Sequence, residues 1–245
     1  MNITIFTSNN LRHNYLINTF SKKFKKIFVF QETRSLFPGQ YMSQYKKSKI
    51  ITNYFKKVSS SQLKIFKKKN FSVSGNNLEL VSLNYGDLNL INQNKYKRFF
   101  QSEIYVVFGT SFIKGKLLNF LKKNKAINIH MGLSPFYRGT DCNFWALYDG
   151  KKKYVGATIH YLNEKLDSGK IIKYVYPSNY ANPFDFTMSV SKNVIDELAK
   201  LLSKKKIFKI KPYLQDKKKE IRYSKKNQFT KTVINNFYKK YKIRS

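Results

Sequence analysis

A chain of 245 residues that is 42% hydrophobic, with 21 phenylalanines and 18 tyrosines, has enough core-forming material to exclude wholesale disorder. It fills one sizeable domain, and two full domains would be cramped. The formal charge is +35, but arginine supplies only six of the 48 basic residues, which argues against a dedicated reader of phosphates and bases, where the bidentate guanidinium is favoured.

Residues 3–6 form a short apolar run ending at Thr7, Ser8, Asn9 and Asn10, after which 11–20 carries apolar residues at helical spacing. A second apolar run at 27–30 completes a βαβ opening, a unit that binds ligands beyond the carboxyl ends of its strands. Residues 35–77 are polar, aromatic and lysine-rich and read as an insertion of one or two helices packed outside the sheet. A strand over 78–83, a helix over 88–100, a buried strand over 104–108, a helix over 113–121 and a strand over 126–130 follow. A turn-rich loop leads to a helix over 143–148, strands over 155–162 and 171–176, and an amphipathic helix over 185–202. The pattern defines an α/β, Rossmann-like domain over residues 1–203, a mostly parallel twisted sheet flanked by helices. Residues 204–245 are expected to form a short basic C-terminal extension draped on it.

The single cysteine, Cys142, excludes an internal disulfide and a thiolate-rich metal site. The opening MNITIFTSNN lacks a basic segment followed by a long apolar one, and no run approaches the roughly 18 apolar residues of a membrane span. A cytoplasmic protein with no membrane partner is therefore expected.

The chemistry concentrates in NIHMGLSPFYRG, residues 128–139. Asn128 and His130 lie at i and i+2 on a strand that runs into a loop, so the pleat turns both side chains to one face. Asp167, in the loop sequence NEKLDSG, offers a carboxylate to orient or charge the imidazole. An amide donor, an acid/base and a carboxylate suit transfer of an acyl-like group to an amine, where an oxyanion must be stabilised and a proton removed.

The block INIHMGLSPFYRGTDCNFWALYDGKKKYVGATIHYLNEKLDSGKII resembles the signature of folate-dependent formyltransferases, the superfamily of glycinamide ribonucleotide, methionyl-tRNA and nucleotide-sugar formyltransferases. SPFYRG is similar to that family's Leu-Pro-x-x-Arg-Gly turn, and LDSG to its Leu-Asp-Thr-Gly. The resemblance implies that Asn128, His130 and Asp167 are catalytic, that the formyl donor is 10-formyltetrahydrofolate, and that no metal is needed. It implies a donor site on two loops, formed by Phe108, Gly109, Thr110, Ser111, Phe112 and Ile113, and by Asn163, Glu164, Leu166 and Gly169. It also implies a cis peptide at Ser134-Pro135. The family's first loop often carries glycines that approach an acceptor phosphate. Here that loop has none, so Asn9, Asn10, Arg12 and His13 are the candidates for holding a phosphate or diphosphate, or else form an ordinary cap and a solvated face.

Several residues stay open. His160 sits mid-strand and faces either core or cleft. Cys142, His130, His160 and Asp167 imitate a zinc set, but their spacing follows no familiar ligand pattern. Phe144 and Trp145 fit a core better than a cofactor platform. The leading function is N-formylation of a small amine, most plausibly an amino sugar carried on a nucleotide. The alternatives are a methionyl-tRNA formyltransferase, for which the tail after residue 202 is short, and a non-catalytic nucleic-acid-binding module, which lacks paired aromatics and arginines. Lysine, asparagine, isoleucine, phenylalanine and tyrosine have A/T-rich codons, so much of the charge reads as compositional bias on solvated faces.

Overall fold

The computed structural model describes residues 1–33 and 48–244. The early part of the expected 35–77 insertion therefore lies outside the described residues. In chain order the elements are β1 (Asn2–Ser8), α1 (Leu11–Ser21), β2 (Lys26–Thr33), α2 (Lys49–Phe66), β3 (Leu78–Asn84), β4 (Ile104–Phe108), α3 (Gly115–Lys123) and β5 (Ile127–His130). They continue with β6 (Tyr137–Gly139), α4 (Cys142–Tyr148), β7 (Ala157–Tyr161), β8 (Ile171–Val175), α5 (Pro183–Ser203), β9 (Arg222–Ser224) and α6 (Lys231–Lys240).

Seven strands form one sheet in the order β3-β2-β1-β4-β5-β7-β8. The first five run parallel, and β7 and β8 are antiparallel additions. Parallel strands need a crossover; α2 lies in the one between β2 and β3 and packs on α5. Strand order reverses between β1 and β4, so a crevice opens beyond their carboxyl ends.

The strands alternate between two buried faces. Ile3, Ile5, Ile27, Val29 and Val106 share one core with Leu16, Ile17 and Phe20 of α1 and Val190, Val194 and Leu198 of α5. Phe6, Phe28, Phe30, Tyr105 and Val107 share the other with Phe99 and with Leu117 and Leu121 of α3. Burial on both faces is why these strands read as near-continuous apolar runs. Helix α5 begins cleanly because Asn182 Oδ1 accepts from the Phe184 and Asp185 amides at 2.8 and 3.3 Å, with Pro183 in the first helical position.

One expected element is absent. Residues 88–100 do not form an α-helix but two short 3₁₀ turns, Asp87–Leu90 and Lys97–Gln101. Asparagine side chains compete with the helix here. Asn92 Oδ1 accepts from the Asn94 amide at 3.0 Å, and Asn89 binds the Phe112 carbonyl and the Lys114 amide at 2.9 and 2.8 Å.

The C-terminal extension is threaded into the domain. β9 pairs in parallel with β6, and α6 buries Ile234, Phe237 and Tyr238. The Ser134-Pro135 peptide is cis. Among the described residues no helix is long and apolar enough to cross a membrane.

Candidate active site

β5 ends in the crevice, and its pleat brings Asn128 and His130 to one cavity of about 560 Å³. Antiparallel pairing sets His160 of β7 directly opposite Asn128. Their side chains meet at 3.0 Å, with the Asn128 amide donating to His160 Nε2. His160 Nδ1–H then donates to the Tyr161 carbonyl at 2.8 Å. That tautomer is a neutral ring, and burial pushes the His160 pKa down to about 4. The open question over His160 is thus answered by position: it faces the cleft and holds the Asn128 carboxamide.

His130 differs in charge. Its Nδ1 lies 3.2 Å from Asp167 Oδ1 and its Nε2 lies 3.1 Å from the Tyr137 carbonyl. Two acceptors on two nitrogens hold an imidazolium. Burial opposes that charge, but Asp167 and Cys142 outweigh it, and the His130 pKa stands well above the ordinary value. Burial likewise works against the Asp167 carboxylate, and the charge of His130 together with the Gly139 amide brings its pKa below the usual range. Close packing fixes the pair: a Cβ on Gly132 would fall 2.6 Å from both His130 Nε2 and Cys142 Cβ, so only glycine fits beside the ring.

These ionisations carry a pH prediction. The folded pKa of His160 is lower than its unfolded one, so the unfolded chain takes up its proton first. Stability should fall by about 3 kcal/mol as pH drops from about 6.5 to about 4, being complete above that window. The pair has the opposite sense at its basic end: the raised His130 pKa stabilises fully below about 6.5 and is lost as pH rises through the folded value. Asp167 stabilises above about 4 and is lost as pH falls through its depressed folded value. Urea midpoints across pH 4–7 should show His160→Gln flattening the acid limb; an unchanged limb refutes the neutral-ring reading.

Of the residues expected at the donor end, Phe108, Gly109, Thr110, Ser111, Phe112, Ile113, Asn163 and Leu166 line the cavity. Glu164 and Gly169 do not. Glu164 is drawn to the surface by an ion pair with Lys122. Gly169 packs so tightly under β7 that a Cβ there would fall 1.6 Å from the Tyr161 carbonyl oxygen, so its role is steric. Of Asn9, Asn10, Arg12 and His13, the residues expected to hold the acceptor, Arg12 alone lines the cavity. Asn10 precedes α1 and its amide donates to His13 Nδ1 at 3.3 Å, half of a capping box. The His13 ring packs edge-on against Phe108 at 4.8 Å, and Asn9 is likewise outside the lining.

Two features were invisible in the sequence. Part of the cavity is walled by Tyr54, Phe55, Val58, Phe144, Phe184, Met188 and Phe237, contributed by α2, α4, α5 and α6. Aromatics at helical spacing do not distinguish a cavity wall from a core. Glu32, fully buried at the end of β2, accepts from the Ser111 amide and hydroxyl and the Gly86 amide at 2.6, 2.7 and 2.7 Å. A lone acid after an apolar run was the only signal. Glu32→Ala strands the buried Ser111 amide and hydroxyl and is expected to lower stability by about 2–3 kcal/mol, measured as a shift of the urea midpoint.

Among the described residues no cluster of three or more histidine, cysteine or acidic side chains is placed to hold a metal ion. The cavity instead presents an amide, an imidazolium and a carboxylate at its centre, an apolar end, and a loop-lined end.

Residues 27–179 match the family model described as formyl transferase, and the chain belongs to that family. It is similar to the methionyl-tRNA formyltransferase of Listeria welshimeri, 50% identical over 50 residues that span 20% of this chain and 16% of that protein. It is also similar to the GDP-perosamine N-formyltransferase of Brucella melitensis, 36% identical over 62 residues, 25% of this chain and 23% of that protein. The chain thus matches less than a quarter of the length of either curated relative. Its fold is shared with a sugar N-formyltransferase from a Shewanella species, at a TM-score of 0.54 and 19% identity, covering 94% of this chain and 78% of that one.

Proposed function

We propose that this chain transfers a formyl group from 10-formyltetrahydrofolate to the primary amine of a nucleotide-linked amino sugar, as a cytoplasmic enzyme. The catalytic domain spans residues 1–203 and the extension 204–245. The observation that carries this reading is the buried His130–Asp167 ion pair, 3.2 Å apart, sharing one cavity with Asn128.

The donor end fits a folate. Val107, Leu118 and Leu162 give it apolar walls and Phe112 and Leu166 an apolar rim, while the loops over 108–113 and 163–167 bring backbone groups to its edge. A flat heteroaromatic ring with hydrogen-bonding edges suits such a slot. Bound there, the folate supplies the formyl carbonyl. The Asn128 carboxamide, oriented by His160, and the His130 imidazolium face the negative charge that develops on oxygen, from side chains that are themselves half-buried or buried. Asp167 holds His130 in its charged form and takes up the proton lost by the attacking amine, to be returned to the donor nitrogen as its bond to the formyl carbon breaks. Arg12 is the candidate for an acceptor phosphate, and the aromatic wall takes the acceptor's apolar surface.

The Brucella likeness favours a nucleotide-sugar acceptor. The stretch 50% identical to a methionyl-tRNA formyltransferase and the charge of +35 favour a second reading, in which the acceptor is an aminoacyl-tRNA. Incubation with 10-formyltetrahydrofolate and a panel of amines, with product mass read for a gain of one formyl group, decides between them. A diphosphate acceptor should show modest salt dependence. For tRNA, log affinity should fall by about 0.9 per phosphate contacted on a duplex against log salt. Tight, steeply salt-sensitive tRNA binding with formylation of its aminoacyl group would replace the sugar reading; no transfer to any amine would remove both.

A further inference from the structure

The carboxylate of the His130 pair sits on a strained loop. Asp167 has a φ of +50°, a left-handed conformation that residues with a side chain adopt at some cost, smaller for aspartate than for most, so contacts that favour it matter. Within the loop, Ser168 closes a turn on the Lys165 carbonyl, through its amide at 3.3 Å and its hydroxyl at 2.7 Å, and a second restraint comes from outside. The Gln215 carboxamide, in the C-terminal extension, donates both protons of its Nε2, to the Asp167 carbonyl at 2.9 Å and the Gly169 carbonyl at 2.7 Å. Those two carbonyls bracket Ser168, so one side chain spans the turn.

Gln215 is itself anchored. Two residues before it, Tyr213 exchanges backbone hydrogen bonds with Ile171 of β8, at 2.8 and 3.1 Å. On the other side of the loop, Arg138 donates to the Leu166 carbonyl at 2.5 Å and pairs with Glu220 of the extension at 2.9 Å. The loop is thus held between the extension and the Arg138 turn.

We propose that Gln215 is a positioning residue: its carboxamide fixes the backbone of Asp167 in the left-handed conformation and thereby sets the approach of the Asp167 carboxylate to His130. The extension is then a working part of the site. This rests on the formyl-transfer reading only where it concerns rate; the geometry of the ion pair stands apart from it.

Gln215→Ala removes both donors. Gln215→Met keeps the length and roughly the volume but carries neither a donor nor a charge, which separates hydrogen bonding from packing and decides alone should the alanine variant not fold. The first readout is the titration of His130 followed by NMR of its imidazole in the full chain, which has three histidines. Asp167, Cys142 and His160 are the titrating groups that bear on that ring. In both variants the His130 midpoint is expected to fall by about one pH unit as the carboxylate withdraws, with His160 remaining neutral down to acid pH. The second readout is formyl transfer, where kcat should fall about tenfold with KM for the acceptor unchanged. A His130 midpoint unmoved in a folded variant overturns the proposal, whatever the rate does. Absence of transfer by the unmodified chain would instead remove the functional reading, and the titration would still decide the role of Gln215.

Discussion

Asp167→Asn is expected to lower turnover by about 10²–10³-fold, the cost of losing one group aimed at developing charge, with little change in the fold. Asparagine has the volume of aspartate and can still meet His130 Nδ1, but it carries no charge to hold the imidazole protonated. The raised His130 pKa depends on that carboxylate, so the variant should carry a neutral His130 near pH 7. The charge opposite the reacting oxygen then disappears together with the proton acceptor. His130→Ala should produce a similar loss, and the double variant should be barely slower than either single one, because the two groups act as a unit. Transfer rates at saturating donor and acceptor read this directly. Single variants as fast as the unmodified chain, or losses that multiply in the double variant, would sever the pair from the chemistry.

How much of this could be read from sequence follows from how local each feature is. The strands expected at 3–6, 27–30 and 104–108 correspond to β1, β2 and β4, because strands inside a sheet advertise themselves as apolar runs, while the one expected at 78–83 is the edge strand β3, half-buried and of mixed polarity. The expected helix over 88–100 has its apolar residues but not its backbone bonds, which asparagine side chains intercept. Asn128 and His130 were legible as partners because two residues along a strand is a fixed geometry. Asp167 was legible as a carboxylate in a loop and through the resemblance of LDSG to a family motif, but not from spacing, since its approach to His130 depends on a left-handed turn that no spacing encodes. Gln215 gave no signal at all: a glutamine in a basic stretch acquires meaning only when β8 pairs with Tyr213 and brings it to the turn. The same holds for the aromatic wall, assembled from four helices far apart in the chain.

The C-terminal extension offers the other large effect. Phe237→Ala is expected to destabilise the fold by about 3–5 kcal/mol, the range for deleting a buried aromatic ring. Phe237 is 2% exposed, and its ring lies 4.8 Å from Phe144 of α4 and 6.2 Å from both Tyr54 of α2 and Phe184 of α5. A loose tail would not bury an aromatic among three other helices. The control lies in the same extension: Phe208 is 62% exposed, and Phe208→Ala should change stability by no more than about 0.5 kcal/mol. Urea unfolding of both variants reads the contrast, with a lower midpoint and unchanged slope for Phe237→Ala marking one cooperative unit from residue 1 into α6. Equal midpoints for the two variants would mean that α6 unfolds separately from the sheet. Because Phe237 also lines the cavity, its truncation should weaken acceptor binding in the surviving folded molecules, raising KM with little effect on kcat. A substrate contacted equally in ground and transition states behaves in that way, and on the proposed reading this separates Phe237, which would shape the acceptor end, from His130 and Asp167, which would face the reacting atoms.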